Sequence, residues 1–492
     1  MLLIAFFGAI VTLITACSSD DSGSGSSADN RVTSSQIANA PNVLFIIVDD
    51  LNTQVGFLGD DTASTPRMDA LASESIVFEH AYAQAPICNP SRVSFLTGIY
   101  PHSTGLYGQK PEFWEVNAYD QIATLPLHFR NNGYHTASIG KVTNFRRHKP
   151  SFDYTKGWFG AFGPFPDQSL NRRPNSPYSK YYDWGPFLEE QETADYKVAS
   201  AAIEYLGSEQ FGDAPFFLAV GFFRPHAPLF APQKYFDLHP LDSIDVPAAQ
   251  QTAVESIPEF AKELVSYNRD QKFKDYLAEP GRAQGFLQAY GASVSLADSQ
   301  IGRVLDSLAA SKYAENTVIV VISDNGVQNG AKNLWFKRTL WEKTLRVPMM
   351  VYSPDRPAKR IEMPVGLIDL YPTLSKLAGL SIPAHVEGVS LLPWIDAPRN
   401  YAGPSREPVI AVHGPGNVSI RDNRWRYIRY EDGSEELYDH SNDSYESKNL
   451  ATNNSVHQTQ SVLEGFRALI PADFSDFAPG TDGMASAAYP GK

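Results

Sequence analysis

Two unbroken apolar runs of strand length, NVLFIIVDD (Asn42–Asp50) and NTVIVVISDNG (Asn316–Gly326), each stop at a pair of polar, oxygen-bearing side chains. A strand with one wet face alternates apolar and polar residues. A continuous β-branched run is instead buried on both faces, as strands in the middle of a parallel sheet are. Just before the second run, Phe286, Tyr290, Val294, Ala297, Ile301, Val304 and Leu308 recur every three to four residues. That is an amphipathic helix feeding directly into a strand, the order from which a doubly wound α/β sheet is built. A third run, APFFLAVGFF (Ala214–Phe223), precedes Arg224-Pro225-His226.

Open α/β sheets bind ligands in the crevice beyond the carboxyl ends of their strands. These runs put Asp49 and Asp50, Arg224 and His226, and Asp324 and Asn325 there. Any one pair alone reads equally well as an Asx turn or a helix cap. Two acidic pairs sharing one crevice repel each other unless a cation compensates them, and an all-oxygen set suits Ca²⁺ or Mg²⁺ better than zinc.

The chain opens with MLLIAFFGAIVTLITAC, an apolar segment of signal-peptide length that is short for a bilayer span. Ile14-Thr15-Ala16-Cys17 resembles a bacterial lipobox, although no Lys or Arg precedes the apolar stretch; an ordinary signal peptide is the alternative. The expectation is an exported lipoprotein, anchored by lipid to a membrane in the periplasm or at the cell surface. Residues 1–17 are then the signal peptide and 18–40, rich in Ser, Gly and Asp, a flexible tether. The formal charge of −14 argues against nucleic acid as a partner, and an anionic substrate would need a local basic pocket. With Cys17 lipidated, Cys88 has no partner for a disulfide, because the chain has 2 cysteines.

After the tether, the length exceeds what one core usually serves, about 250–300 residues, so a large domain over 41–398 and a smaller one over 399–492 are expected. The short alternating stretches VIAVHG, NVSIRDN, WRYIRYED and EELYDH read as an antiparallel meander, followed by a helix over about 455–470.

In PICNPSRVSFLTG, Asn89 is a good N-cap and Pro90 a good first helical residue, which puts Cys88 just before a helix N-terminus. Such a position binds anions and lowers a thiol pKa, and Arg92 one turn in can point at the same spot. A small apolar cysteine before a structural helix is the plainer alternative.

CNPSRVSFLTG matches the sulfatase signature C-x-P-S-R-x-x-x-L-T-G, and on this motif the chain resembles the type I, formylglycine-dependent sulfatases of the alkaline phosphatase superfamily. PNVLFIIVDDLN, NNGYHTASIGK, FFLAVGFFRPHAP, SDNG, LWFKRTLWEKTLRVPMMV, LIDLYPTLSKLAGL and YIRYEDGSEELYDHSNDSYESKNLA extend the likeness over most of residues 41–450, in the manner of the iduronate-2-sulfatase-like branch and its bacterial polysaccharide-degrading members. The resemblance implies an alkaline-phosphatase-like large mixed β-sheet sandwiched by helices, with a small C-terminal α+β subdomain. It implies that a maturation enzyme converts Cys88 to formylglycine. Asp49, Asp50, Asp324, Asn325 and one oxygen at position 88 then bind one Ca²⁺. Arg92 would hold the formylglycine, Lys141 and Lys337 would bind sulfate oxygens, and His226 would protonate the leaving alcohol; solvent-exposed lysines and a structural histidine are the alternatives. A hydrated aldehyde suits the chemistry because one hydroxyl attacks sulfur and the second expels sulfate.

Two motifs depart from the family. GKVTNFRRHKP has Thr143 and Asn144 where the family has a histidine that assists elimination, so His148 is the leading substitute. Gln328 to Trp335 replaces H-L-G-E-K-x-H-W and loses both histidines and the glutamate, which points to a different substrate. Arg146 to Lys149, Arg172, Arg173 and Arg224 are candidates for sugar carboxylate or sulfate contacts. The expected activity is hydrolysis of O-sulfate esters on a carbohydrate such as ulvan, carrageenan or a glycosaminoglycan. A phosphodiesterase or phosphonate hydrolase of the same superfamily, and a catalytically weak glycan-binding lipoprotein, are the rivals.

Overall fold

The computed structural model describes residues 40–144, 149–171, 182–208, 210–247, 257–267, 271–398, 403–452 and 457–481. The leader, Cys17, the tether up to residue 39, and His148 with Arg146, Arg147, Arg172 and Arg173 lie outside the described residues. Among the described residues no helix is long and apolar enough to cross a membrane.

The apolar runs are strands at the centre of an eight-stranded mixed sheet. Its members in chain order are β1 (Asn42–Val48), β2 (Ile76–Phe78), β3 (His135–Gly140), β4 (Tyr154–Lys156), β5 (Phe216–Phe222), β6 (Thr317–Ser323), β7 (Met349–Tyr352) and β8 (Lys359–Ile361). The spatial order is β8-β2-β7-β6-β1-β5-β3-β4, and only β7 runs against its neighbours. Every residue of β1, β5 and β6 is buried, as the lack of alternation in the sequence requires. In β1, Leu44, Ile46 and Val48 enter one core while Val43, Phe45 and Ile47 enter the other. Each such side chain contributes about 1.5–3 kcal/mol by leaving water.

Among the helices that supply the two cores are α1 (Cys88–Thr97), α2 (Leu125–Asn131), α3 (Ala194–Leu206), α4 (Arg282–Ala309) and α5 (Leu370–Leu377). Val198 and Tyr205 of α3 and Val294 and Ile301 of α4 fill the first core. Phe95 of α1, Phe129 of α2 and Leu374 of α5 fill the second. The amphipathic pattern over 286–308 is thus the inner face of α4.

A second, antiparallel sheet is the expected meander: β9 (Val409–Val412), β10 (Val418–Arg421), β11 (Trp425–Arg429) and β12 (Glu435–Asp439), paired in chain order. On one face Val409, Ile428 and Tyr438 pack with Tyr82, Leu340 and Trp341; on the other Tyr427 and Leu437 pack with Leu463 and Phe466 of the helix His457–Arg467. A buried Arg426 ties this sheet to the rest through Glu342 and, at 2.6 Å, Glu446.

One local expectation needs correction. Helix α1 begins at Cys88 itself, with Ile87 extended at the N-cap (φ −149°) and no side-chain cap. Asn89 does not cap the helix, because its amide donates instead to the Gly108 and Pro111 carbonyls, both at 3.0 Å.

Candidate active site

The register sets the site. Val48 lies opposite Phe222 on β5 and Ser323 on β6, and Gly140 lies opposite Gly221, so Asp49, Lys141, Phe223 and Asp324 leave four adjacent strands at nearly one level. Helix α1 brings Cys88 to the same crevice. Close approach of Lys141 needs glycine: a Cβ on Gly221 would stand 2.0 Å from the Lys141 carbonyl oxygen.

Cys88 Sγ lies 2.9 Å from Lys337 Nζ, 3.8 Å from Lys141 Nζ and 4.0 Å from Asp50 Oδ1. Lys141 Nζ also donates to Asp49 Oδ2 at 2.5 Å, and Lys337 donates to Asp50 Oδ1. Asp50, in the left-handed region (φ 62°), is fixed from three sides. Its N–H donates to Asp324 Oδ1 at 3.1 Å, its carboxylate accepts from Asn325 Nδ2 at 2.7 Å, and its carbonyl accepts from the Tyr290 hydroxyl at 2.9 Å. Arg92 donates from Nε to Asp324 at 2.8 Å, from Nη2 to Asp49 at 3.2 Å, and from Nη1 to the Lys141 and Val142 carbonyls. Four of its five N–H groups are therefore committed to the carboxylates and the Lys141 turn, and it organises the acidic set.

Burial pushes the Cys88 thiol up to about 12, with Asp49 adding to it and Lys141 and Lys337 opposing. This reverses the sequence expectation of a lowered thiol pKa: loss of water and the nearby carboxylates outweigh the helix terminus. The Asp49 carboxyl is raised by burial, but Lys141, His226 and Arg92 outweigh that and hold it well below the usual range.

One carboxylate oxygen each from Asp49, Asp50 and Asp324 lie within 4.8 Å of one another. Asn325 Oδ1 is buried with no hydrogen-bond partner in the described structure. A buried acceptor left unpaired costs about 1–3 kcal/mol. Three carboxylates and an orphaned amide oxygen make an oxygen-only donor set that fits a hard divalent cation.

His226 Nε2 stands 3.7 Å from Asp50 Oδ2, its Nδ1 is 2.6 Å from the Ala227 carbonyl, and the Phe162 ring lies 4.5 Å from its own. Burial lowers its pKa, with Asp50 and Asp49 opposing. Arg224 does not face the crevice as a sugar contact. Its guanidinium donates to the backbone carbonyls of Phe230 at 3.1 Å, Phe162 at 3.1 Å and His226 at 3.4 Å. Asn144 donates to Gln109 Oε1 at 2.9 Å, and the same oxygen receives the Asn89 N–H at 3.4 Å. Of the altered loop, Gln328, Lys332, Leu334 and Trp335 are buried; Gln328 is tied to Thr339 and Thr344, and Lys332 to the Glu446 carbonyl.

Phe162, Gln109 and Tyr290 were not legible as site residues. Phe162 and Gln109 sit in loops without periodicity, and Tyr290 reads as one more apolar position of α4.

The fold is alkaline-phosphatase-like, a large mixed sheet between helices with a small antiparallel sheet beside it. The sulfatase family model matches residues 41–380, and that of the N-sulphoglucosamine sulphohydrolase C-terminal region matches 330–467. The chain is 36% identical over 449 residues to a sulfatase of Formosa agariphila, covering 88% of this chain and 86% of that one. It is 33% identical over 397 residues to the iduronate 2-sulfatase of Mus musculus, covering 70% of each. The solved structure of BT4656 in complex with its substrate D-glucosamine-2-N,6-O-disulfate resembles it with a TM-score of 0.68 at 21% identity, covering 87% of this chain and 97% of that one. The chain belongs to the sulfatase family and is a sulfuric ester hydrolase.

Proposed function

We propose that this sulfatase removes O-sulfate from a sulfated carbohydrate outside the cytoplasm, using formylglycine at position 88 and one bound Ca²⁺. The observation that carries the reading is the placing of Cys88 at the first turn of α1, between two lysines and beside three clustered carboxylates. The named substrates of the similar mouse enzyme and of BT4656 support a sulfated sugar, and the apolar leader ending at Cys17 supports export and a lipid anchor.

Asp49, Asp50, Asp324 and Asn325 would hold the cation, which supplies positive charge to the transferring group. Formylglycine, made by a maturation enzyme, would supply two hydroxyls on one carbon, one to attack sulfur and one to release sulfate. Lys141 and Lys337 flank position 88 and neutralise sulfate oxygens as charge shifts onto them. Arg92 keeps Asp49 and Asp324 converged. His226 donates a proton to the leaving sugar oxygen; the anionic ester beside it favours the protonated ring against the effect of burial. Asn144 cannot take up a proton at neutral pH, and His148 is the leading candidate for the elimination base.

The test is the mass of the peptide spanning position 88 in active protein, together with sulfate release from a panel of sulfated oligosaccharides. An unmodified thiol in fully active enzyme, or release from none of the panel, refutes the reading. Parallel assay of phosphate diesters separates the phosphoryl rival.

A further inference from the structure

We infer that Arg224 is a positioning residue that holds the His226 imidazole, by bonding both the histidine's own backbone and the segment whose Phe162 ring lies against it. The guanidinium sits in the strand-to-loop turn after β5, buried, with donors spent on three backbone carbonyls from two separate chain segments. Two of these, His226 and Phe230, belong to the loop that carries the histidine. The third, Phe162, carries the ring that lies against the imidazole at 4.5 Å with 30° between planes. The same ring lies 5.2 Å beneath Lys141 Nζ.

The segment before Phe162 has turn bonds of its own, Ala161 N–H to the Trp158 carbonyl at 2.5 Å and Gly163 N–H to the Gly160 carbonyl at 3.0 Å, but its backbone is strained. Phe159 (φ 47°), Gly160 (φ 86°) and Ala161 (φ 52°) run in the left-handed region immediately before Phe162. Residues with side chains in that region are strained and persist only where surroundings enforce them. The Arg224 bond to the Phe162 carbonyl is one such enforcement. The turn itself is anchored from behind. Buried Asp195, in the first turn of α3, accepts the Phe223 N–H at 2.7 Å and the Arg224 N–H at 3.0 Å. A chain of bonds thus runs from α3 through Asp195 and Arg224 to the His226 backbone and to the segment whose Phe162 ring lies against the imidazole. The three hydrogen bonds of the Arg224 guanidinium all go to backbone carbonyls around the histidine, so the effect inferred here passes through His226.

This inference rests on His226 as the general acid of the proposed reaction. The experiment is a kinetic cycle on the full-length enzyme with Arg224→Lys, Arg224→Gln and His226→Ala, singly and combined, on aryl sulfates graded from 4-nitrophenyl to 4-methoxyphenyl. Lysine retains the charge and one carbonyl contact, so it serves where glutamine fails to fold. The expected loss in kcat is about 10- to 100-fold at the methoxy end and under about 3-fold at the nitro end, with KM unchanged. In the His226→Ala background the Arg224 substitutions should add under about 2-fold, because both act through one proton transfer. A uniform loss across the series, a rise in KM at constant kcat, or undiminished loss in the His226→Ala background overturns the inference while leaving the general-acid reading intact. If His226→Ala itself shows no dependence on the leaving group, the general-acid reading falls and this inference with it.

Discussion

Arg92 Nε donates to Asp324 Oδ2 at 2.8 Å, joining residues 232 positions apart in the chain. Both side chains are buried, so neither can lose its partner cheaply: breaking such a pair costs about 3–5 kcal/mol. The signature arginine therefore serves the acidic set first, and the crevice exists only when helix α1 and the end of β6 are both in place.

Cys88→Ala should abolish sulfate release and leave the melting temperature within a few degrees of the parent, because a small side chain at the first helical turn adds little packing. Loss of folding in this variant, read by circular dichroism, would show that Cys88 is there to pack.

Asp50→Asn keeps the shape of the side chain and removes one charge from the proposed cation set. Metal content by mass spectrometry should drop below one per chain, and activity should fall by at least about 100-fold. Added Ca²⁺ should raise the melting temperature of chelated parent enzyme, since a ligand at 100 times its Kd stabilises by about 2.7 kcal/mol. Full activity after exhaustive chelation would falsify the metal proposal.

His226→Ala should damage esters of poor leaving groups far more than activated aryl sulfates, because only the former need protonation in the transition state. His148→Ala should instead slow the release of sulfate, seen as a burst of alcohol ahead of slow turnover. Unaltered kinetics in His148→Ala would send the search for the base elsewhere in the crevice.

Stability should fall on acidification. Burial lowers the His413 imidazole to about 3, with Arg338 adding to it, and lowers His128 to about 4. Both lie below the unfolded value of about 6.5, so the unfolded chain binds more protons as pH falls through that value. The stabilisation is whole above about pH 6.5 and drains away toward the folded values, by on the order of 3 kcal/mol for His413 at pH 4. His413→Gln should flatten this profile in thermal melts; an unchanged slope would remove His413 from the account.

Gly221→Ala should displace the Lys141 backbone, because the new Cβ would stand 2.0 Å from its carbonyl oxygen. Activity should fall by at least about 10-fold and stability by about 1–3 kcal/mol. A crystal structure with Lys141 unmoved would contradict this.

The central strands were legible wherever burial left a continuous apolar run, as in β1, β5 and β6, and the metal-type side chains followed from where β1 and β6 stop; the order of the strands in the sheet was not. The direction of the Cys88 pKa shift was not, because a sequence does not display how much water a thiol loses. Arg224 misled for a related reason: next to His226 in sequence, it reads as a substrate contact, yet its donors go to carbonyls brought in by tertiary folding. Phe162 had no signal at all, since its role depends on a loop contact with no period.

The burial of Cys88 carries a consequence for timing. With 1% of its surface accessible, the folded chain offers an outside catalyst no grip on that sulfur. If position 88 is converted to formylglycine as proposed, that conversion would have to precede the burial of the sulfur, so maturation and folding would compete for the newly made chain. Under that proposal, chain made faster than it is modified would fold with a thiol at position 88, and the active fraction of a preparation would report the tempo of production rather than its purity.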